Sequence, residues 1–302
     1  MLERLESKKM DWMRYRIIYF LFSLVFVVAG IYGLFSWGLK LGVDFKGGAV
    51  LEYKLDSDIS TEEATQKIEE TGVETSSIQM TGDKTYLLRL APIAEDGKDK
   101  IKDSLEKLSG GEIEELRFEN VGPSIGPELI KKTIYAIAIA ASAILIWVAI
   151  QFKSFKFGTS AVLAMFHDSF ILIGAFSILG RFIGAEVDFL FVTALLTTLS
   201  FSVHDTIVVY DRIREAQKKY GGSLKGLANR AISETMVRSL NNSFTIIFML
   251  VALLLLGGTT IKWFAVALLI GTVSGTYSSP FVAVPLLVVW DEFVKKIKRR
   301  RV

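Results

Sequence analysis

Apolar residues in this chain gather into long runs at Tyr15–Phe35, Thr133–Ile150, Ala161–Leu179, Phe189–Tyr210, a region ending at Leu256, and Phe264–Trp290. A helix of about 20 such residues crosses a hydrocarbon core, so the pattern predicts six transmembrane helices. The stretch between the first two runs is different. Ala49, Leu51, Tyr53 and Leu55 alternate with polar residues, as in a half-buried strand. Ser60 and Glu63 have the spacing of a capping box opening a helix to about Thr71. Strands are predicted near Ser77–Thr81 and Thr85–Leu90, with Gly82-Asp83 as the hairpin turn between them. Ile101, Leu105 and Leu108 share one face of a second helix, stopped by Gly110 and Gly111. A last strand is predicted near Glu112–Asn120. The order βαββαβ suggests a small ferredoxin-like α+β domain.

The predicted organisation is an N-terminal segment at 1–14, a first span at 15–37, the α+β domain at 38–128, spans two to six within 129–290, and a basic tail at 291–302. At about 211–237, where Leu224, Leu227, Ala228, Ala231 and Ile232 repeat at helical spacing, either a helix lying at the cytoplasmic membrane surface or an ordinary amphipathic connector is expected. The linker VGPSIGPEL at 121–129 contains Gly122, Pro123, Gly126 and Pro127. It reads as a bent, non-helical connector, either passive or a hinge.

Composition agrees with a mixed protein. Of 302 residues, 51% are hydrophobic, and the mean hydropathy is +0.41. Charge sets an orientation. Residues 41–127 hold ten Lys/Arg against nineteen Asp/Glu, a net of 10 − 19 = −9. The basic groups collect at Arg4, Lys8, Lys9 and Arg14, at Lys153 and Lys156, from Arg212 to Arg230, and from Lys295 to Arg301. Six spans put all four groups on one side, and the positive-inside rule makes that side cytoplasmic. Both termini are then cytoplasmic and the acidic domain lies outside. The first run is too long for the apolar core of a cleaved signal peptide and has no A-x-A-like site after it. There is no Cys, hence no disulfide, thiolate nucleophile or Cys metal site. No GxxxxGK[ST] or GxGD motif occurs, so neither nucleotide hydrolysis nor intramembrane aspartyl proteolysis is indicated. No cofactor, metal or nucleic-acid partner is expected.

The candidate chemistry lies inside the spans. Asp205 sits in an apolar run, where an ionisable side chain costs about 2.5–3.5 kcal/mol on insertion scales and marks an ion or proton path. Thr198, Ser202 and Asp205 share one helix face at i, i+4 and i+7. The face reads as a functional carboxylate with its support, the alternative being a hydrogen-bonded helix seam. The apolar part of the fifth span, Phe244–Leu256, covers only about 20 Å. It must therefore recruit Arg238, Asn241, Asn242 and Ser243 before it. Arg238, Asn242 and Thr245 fall on one face. An intramembrane Arg finds an acidic partner, which makes Asp205 the expected one; snorkelling to headgroups is the alternative. His167-Asp168 in the third span echoes His204-Asp205, and nothing in the sequence completes a metal ligand set for them. Asp168 reads as polar packing or part of a relay. Gly271 and Gly275 form a small-xxx-small packing pattern, and Pro280 and Pro285 are expected to bend the last helix.

Several stretches together resemble the SecD/SecF family of protein-export subunits. They are LGVDFKGG (41–48), FENVGPSIGPEL (118–129), HDSFILIGAFSI (167–178), SFSVHDTIVVYDRIRE (200–215), RSLNNSFT (238–245) and GTYSS (275–279). They run in family order over nearly the whole chain, and the match is to the SecF type. The resemblance implies membership of the resistance-nodulation-division superfamily and use of the proton-motive force for late translocation and release of secreted chains. It implies a SecD-like partner subunit, the SecY/SecE/SecG channel, the translocating unfolded polypeptide and the bilayer as partners. It also implies a proton-relay role for Asp205 and Arg238. Where the family usually has Asn, this chain has His204, whose imidazole could join the relay. A small-molecule or lipid exporter half and a passive scaffold subunit are the other readings.

Overall fold

The structure, a computed structural model, describes residues 10–94, 96–122, 125–258 and 260–300, with side chains omitted at 125 and 298–300. Pro123, Ser124 and the N-terminal Arg4, Lys8 and Lys9 lie outside the described residues, as does Arg301. The chain divides into two compact units, one of residues 41–135 with 186–189, and one of the remaining helices.

The first unit holds a four-stranded antiparallel sheet. Its elements are α2 (Val43–Lys46), β1 (Gly48–Lys54), α3 (Thr61–Glu69), β2 (Thr75–Gly82), β3 (Thr85–Leu90), α4 (Gly97–Ser109) and β4 (Glu114–Val121), after α1 of the helical unit (Arg16–Trp37). The strand order is β2-β3-β1-β4. The βαββαβ succession predicted from the polar alternation is present. β1 is central and buried along nearly its whole length. Ala49, Leu51 and Tyr53 pack with Tyr86 and Leu88 against Ala64 and Ile68 of α3 and Ile101 and Leu105 of α4. Ser60 caps α3, its Oγ accepting from Glu63 N at 3.3 Å; the hydroxyl also donates to Glu62 rather than completing a box with Glu63. The hairpin turn is Asp83-Lys84 instead of Gly82-Asp83, with Lys84 at φ 52.

The LGVDFKGG stretch becomes the short α2 and a double-glycine entry into β1. Gly47 and Gly48 have φ of 77 and 130. A Cβ on Gly48 would lie 2.7 Å from the Leu90 carbonyl oxygen of the paired strand. Gly48→Ala therefore combines forbidden torsion with a backbone clash. It should cost about 1–3 kcal/mol, read as a lower melting temperature of the full chain in detergent. The Asp44 carboxylate accepts from Phe189 N at 2.8 Å and so caps the helix that starts there.

In the helical unit the long helices are α5 (Ile125–Phe152, whose first turns belong to the sheet unit), α6 (Phe155–Ile183), α7 (Phe189–Tyr220), α8 (Leu224–Leu256), α9 (Lys262–Ser278) and α10 (Val284–Arg300). Among the described residues six helical stretches are long and apolar enough to span a membrane. The fourth and the last are mostly buried in the protein, while the second and fifth are almost wholly on its outside. Two glycines permit a close helix crossing: a Cβ on Gly174 of α6 would clash with the Cα of Gly30 in α1.

Two expectations are corrected. The connector at 211–237 is no separate surface helix. α7 and α8 extend through it and meet at a turn where Gly221 and Gly222 have φ of 62 and 96. Leu224, Leu227, Ala228, Ala231 and Ile232 are buried in the helical core. The linker is only partly non-helical. α5 already begins at Ile125 and includes Gly126 and Pro127; Pro is tolerated in a first turn, where its missing N–H has no partner to lose. Gly126 is buried, and a Cβ on it would meet the Phe45 carbonyl oxygen at 2.1 Å. Among the described linker residues only Gly122 is neither strand nor helix. The bend in the last span takes the form of a π turn at Ser279–Ala283, which contains Pro280; Pro285 sits in the first turn of α10.

Candidate functional site

The densest polar cluster in the helical unit surrounds Asp168 of α6, which is 3% exposed. Ser202 Oγ of α7 and Ser278 Oγ of α9 each donate to Oδ2 at 2.6 Å. Ser274 Oγ of α9 donates to Oδ1 at 2.6 Å, and His167 Nδ1 lies 3.1 Å from the same oxygen. An ionised carboxylate accepts only, with about four lone-pair sites, and this cage can fill them. Protonation turns one oxygen into a donor. That donor needs an acceptor, which is either His167 Nδ1 in the tautomer that leaves it unprotonated or a serine hydroxyl that turns round. The cage depends on close approach of α9 and α7. A Cβ on Gly271 would lie 2.0 Å from Thr198 Cγ2, and one on Gly275 would lie 3.3 Å from Ser202 Cα.

Asp205 is one turn further along α7 and 4% exposed. Among the described residues its carboxylate has one hydrogen-bond donor, Ser239 Oγ of α8 at 2.7 Å. The two carboxylates are thus solvated very differently, one by four groups on three helices and the other by one hydroxyl. Below Asp205 the column continues through Thr206, whose Oγ1 lies 3.0 Å from Ser279 Oγ, and Tyr210, whose hydroxyl lies 2.7 Å from Ser160 Oγ and donates to the Ala283 carbonyl.

The remaining expected residues fall as follows. Thr198 and Ser202 are buried on the same side of α7 as Asp205. His204 is exposed on the surface of this chain. Arg238 does not pair with Asp205. Its neighbour Ser239 does, and successive helical residues point about 100° apart, so Arg238 faces outward. It borders a groove of about 480 Å³ with Val208, Asp211, Arg212, Glu215 and Glu234. Within that groove Arg212 is already bonded to Glu234 and Glu215. Asn241, Asn242 and Thr245 are exposed too. The inward polar face of α8 is Thr235, Ser239 and Ser243, the last lying 2.6 Å from Thr276 of α9.

Sequence reasoning missed Ser239, Ser274, Ser278 and Tyr210. The i, i+4 spacing of Ser239 with Ser243 and of Ser274 with Ser278 was the available signal. Among the described residues no group of three or more His, Cys, Asp or Glu could hold a metal ion.

Comparison with known proteins gives a consistent result. Residues 100–293 match the family model described as protein export membrane protein SecD/SecF, C-terminal, and residues 32–59 match the SecD/SecF GG motif. A protein translocase subunit SecF from Thermobaculum terrenum is 41% identical over 96% of this chain and 97% of its own length. A protein translocase subunit SecDF from Bacillus subtilis is 32% identical over 94% of this chain but only 38% of its own length. The crystal structure of SecDF from Thermus thermophilus, titled a translocon-associated membrane protein, superposes with a TM-score of 0.81 at 30% identity. That match covers 94% of this chain and 39% of the SecDF chain, so this chain spans about two fifths of the fused polypeptide.

Proposed function

This chain belongs to the SecD/SecF family of protein-export membrane proteins, and on that premise we propose that it is a proton-driven subunit of protein translocation in which Asp205 takes up and releases the proton. The observation that carries this reading is the contrast between the two buried carboxylates. Asp168 is fully caged. Asp205 has one hydroxyl donor and lies in a helix continuous with the charged hairpin at Asp211–Glu234. Moving one charge across 100 mV supplies about 2.3 kcal/mol, comparable to the about 1–3 kcal/mol of leaving one buried hydroxyl unsatisfied, and Asp205 is held by one such hydroxyl. Arg238 and the acidic groups of its groove form the route between Asp205 and water, with Asp168 as the second relay group and Ser202 shared between its cage and α7. His204, exposed on the outward face of α7, is the further group that joins the relay in this reading.

The SecF-type match and the fused SecDF relatives support a SecD-like partner subunit. The exposed faces of the second and fifth spans leave room for one. The SecY/SecE/SecG channel and the unfolded polypeptide in transit complete the assembly in this reading. The α+β unit, ferredoxin-like in strand order, works on the outer side of the membrane, with both termini in the cytoplasm; the charge asymmetry supports this.

The test is gradient-dependent export in membrane vesicles. Asp205→Asn should abolish the gradient-dependent fraction while insertion and co-purification with the SecD-like partner remain normal. Ser239→Ala should weaken it, because it removes the carboxylate's one hydroxyl donor. Normal export in Asp205→Asn would sink the relay assignment and leave a passive scaffold.

A further inference from the structure

A cleft of about 520 Å³ opens in the helical unit where the α5–α6 turn, the charged end of α7 and α10 come together. Four cationic side chains converge on it, Lys156, Arg214, Lys218 and Lys295, with one carboxylate, Asp291. That is a formal balance of 4 − 1 = +3. Asp291 is shared by Lys156 and Lys295, each 2.7 Å away. Arg214 and Lys218 have no carboxylate partner among the described residues. Arg214 is held in place by its bond from Nη1 to the Gln151 carbonyl at 3.0 Å, at the end of α5.

The floor of the cleft is apolar. Phe152 and Phe157 stack with ring centroids 5.3 Å apart, and Leu224 lies beside them. Close by on the outer surface Trp147 is 63% exposed and Phe155 67%. Exposed aromatic rings near span ends mark the headgroup level of a bilayer. A basic rim over an aromatic floor at that depth matches a negatively charged phosphodiester joined to an apolar body. We propose that this cleft binds the headgroup of an anionic glycerophospholipid, with Arg214 and Lys218 on the phosphate and the stacked phenylalanines under the glycerol and upper acyl chain.

The experiment is native mass spectrometry of the full chain in detergent, titrated with phosphatidylglycerol, phosphatidylcholine or inorganic phosphate. Phosphatidylglycerol should bind in preference to phosphatidylcholine. Each basic residue near a charged surface contributes about fivefold, so Arg214→Gln with Lys218→Gln should weaken phosphatidylglycerol binding about 25-fold on the same scale. The charge-preserving pair Arg214→Lys with Lys218→Arg should retain it. Lys219→Gln, which removes the same charge from the adjacent residue outside the cleft, should leave it unchanged. Equal binding of both lipids, or equal losses in Lys218→Gln and Lys219→Gln, overturns the proposal. Inorganic phosphate competing as effectively as phosphatidylglycerol also overturns it, in favour of a soluble anion.

Discussion

Asp168→Ala is expected to unfold the helical unit at a much lower temperature than the native chain. The substitution removes the shared acceptor of Ser202, Ser274 and Ser278 and leaves three buried hydroxyls without it. Each unsatisfied buried donor costs about 1–3 kcal/mol. Part of this is recovered, because Ser278 can lean on the Gly275 carbonyl, 3.3 Å away. A net loss of about 3–5 kcal/mol follows. Asp168→Asn should fall between the two. Its amide offers one oxygen to the hydroxyls and sets an NH2 group against the others, so at least one serine must reverse its role. Detergent-solubilised protein followed by thermal unfolding gives the readout. If the Ala variant melts with the native chain, the cage is not what joins α6 to α7 and α9.

Gly271→Ala should be nearly as damaging, through volume instead of polarity. The added methyl would lie 2.6 Å from Thr198 Cβ as well as 2.0 Å from Cγ2, so rotating the threonine does not relieve the clash. α9 must move away from α7, and the serine donors move with it. Overpacking of this kind costs about 1–3 kcal/mol, to which the stretched bonds at Asp168 add. Thr198→Gly should restore much of the loss in the double variant while being mildly destabilising alone, the signature of two residues in direct contact. An additive double variant would show that the close approach at Gly271 is not what limits the packing. The Gly30–Gly174 crossing is subject to the same argument, with backbone on both sides and no side chain to remove.

The sequence alone determined the six spans, the βαββαβ succession and the two intramembrane aspartates. These depend on local period and on the rarity of charge in hydrocarbon, both of which are visible along one strand of text. It also placed Thr198, Ser202 and Asp205 on one side of α7, because helical spacing decides that without a partner. The partners themselves were decided by the tertiary structure. Asp205 meets Ser239 and not Arg238, since a difference of one residue turns a side chain about 100° around its helix and no local pattern fixes that rotation. Asp168 gathers Ser274 and Ser278 from 106 and 110 residues away. In the sequence those serines are ordinary small residues of a glycine-rich packing stretch; they bond a carboxylate because the fold packs α9 against α6, with Gly271 and Gly275 admitting α7 and its Ser202 to the same place. The apolar stripe at 211–237 is helical, as its spacing implies, but what covers it is the protein's own helices; a stripe records that something covers it and not whether that is lipid or protein.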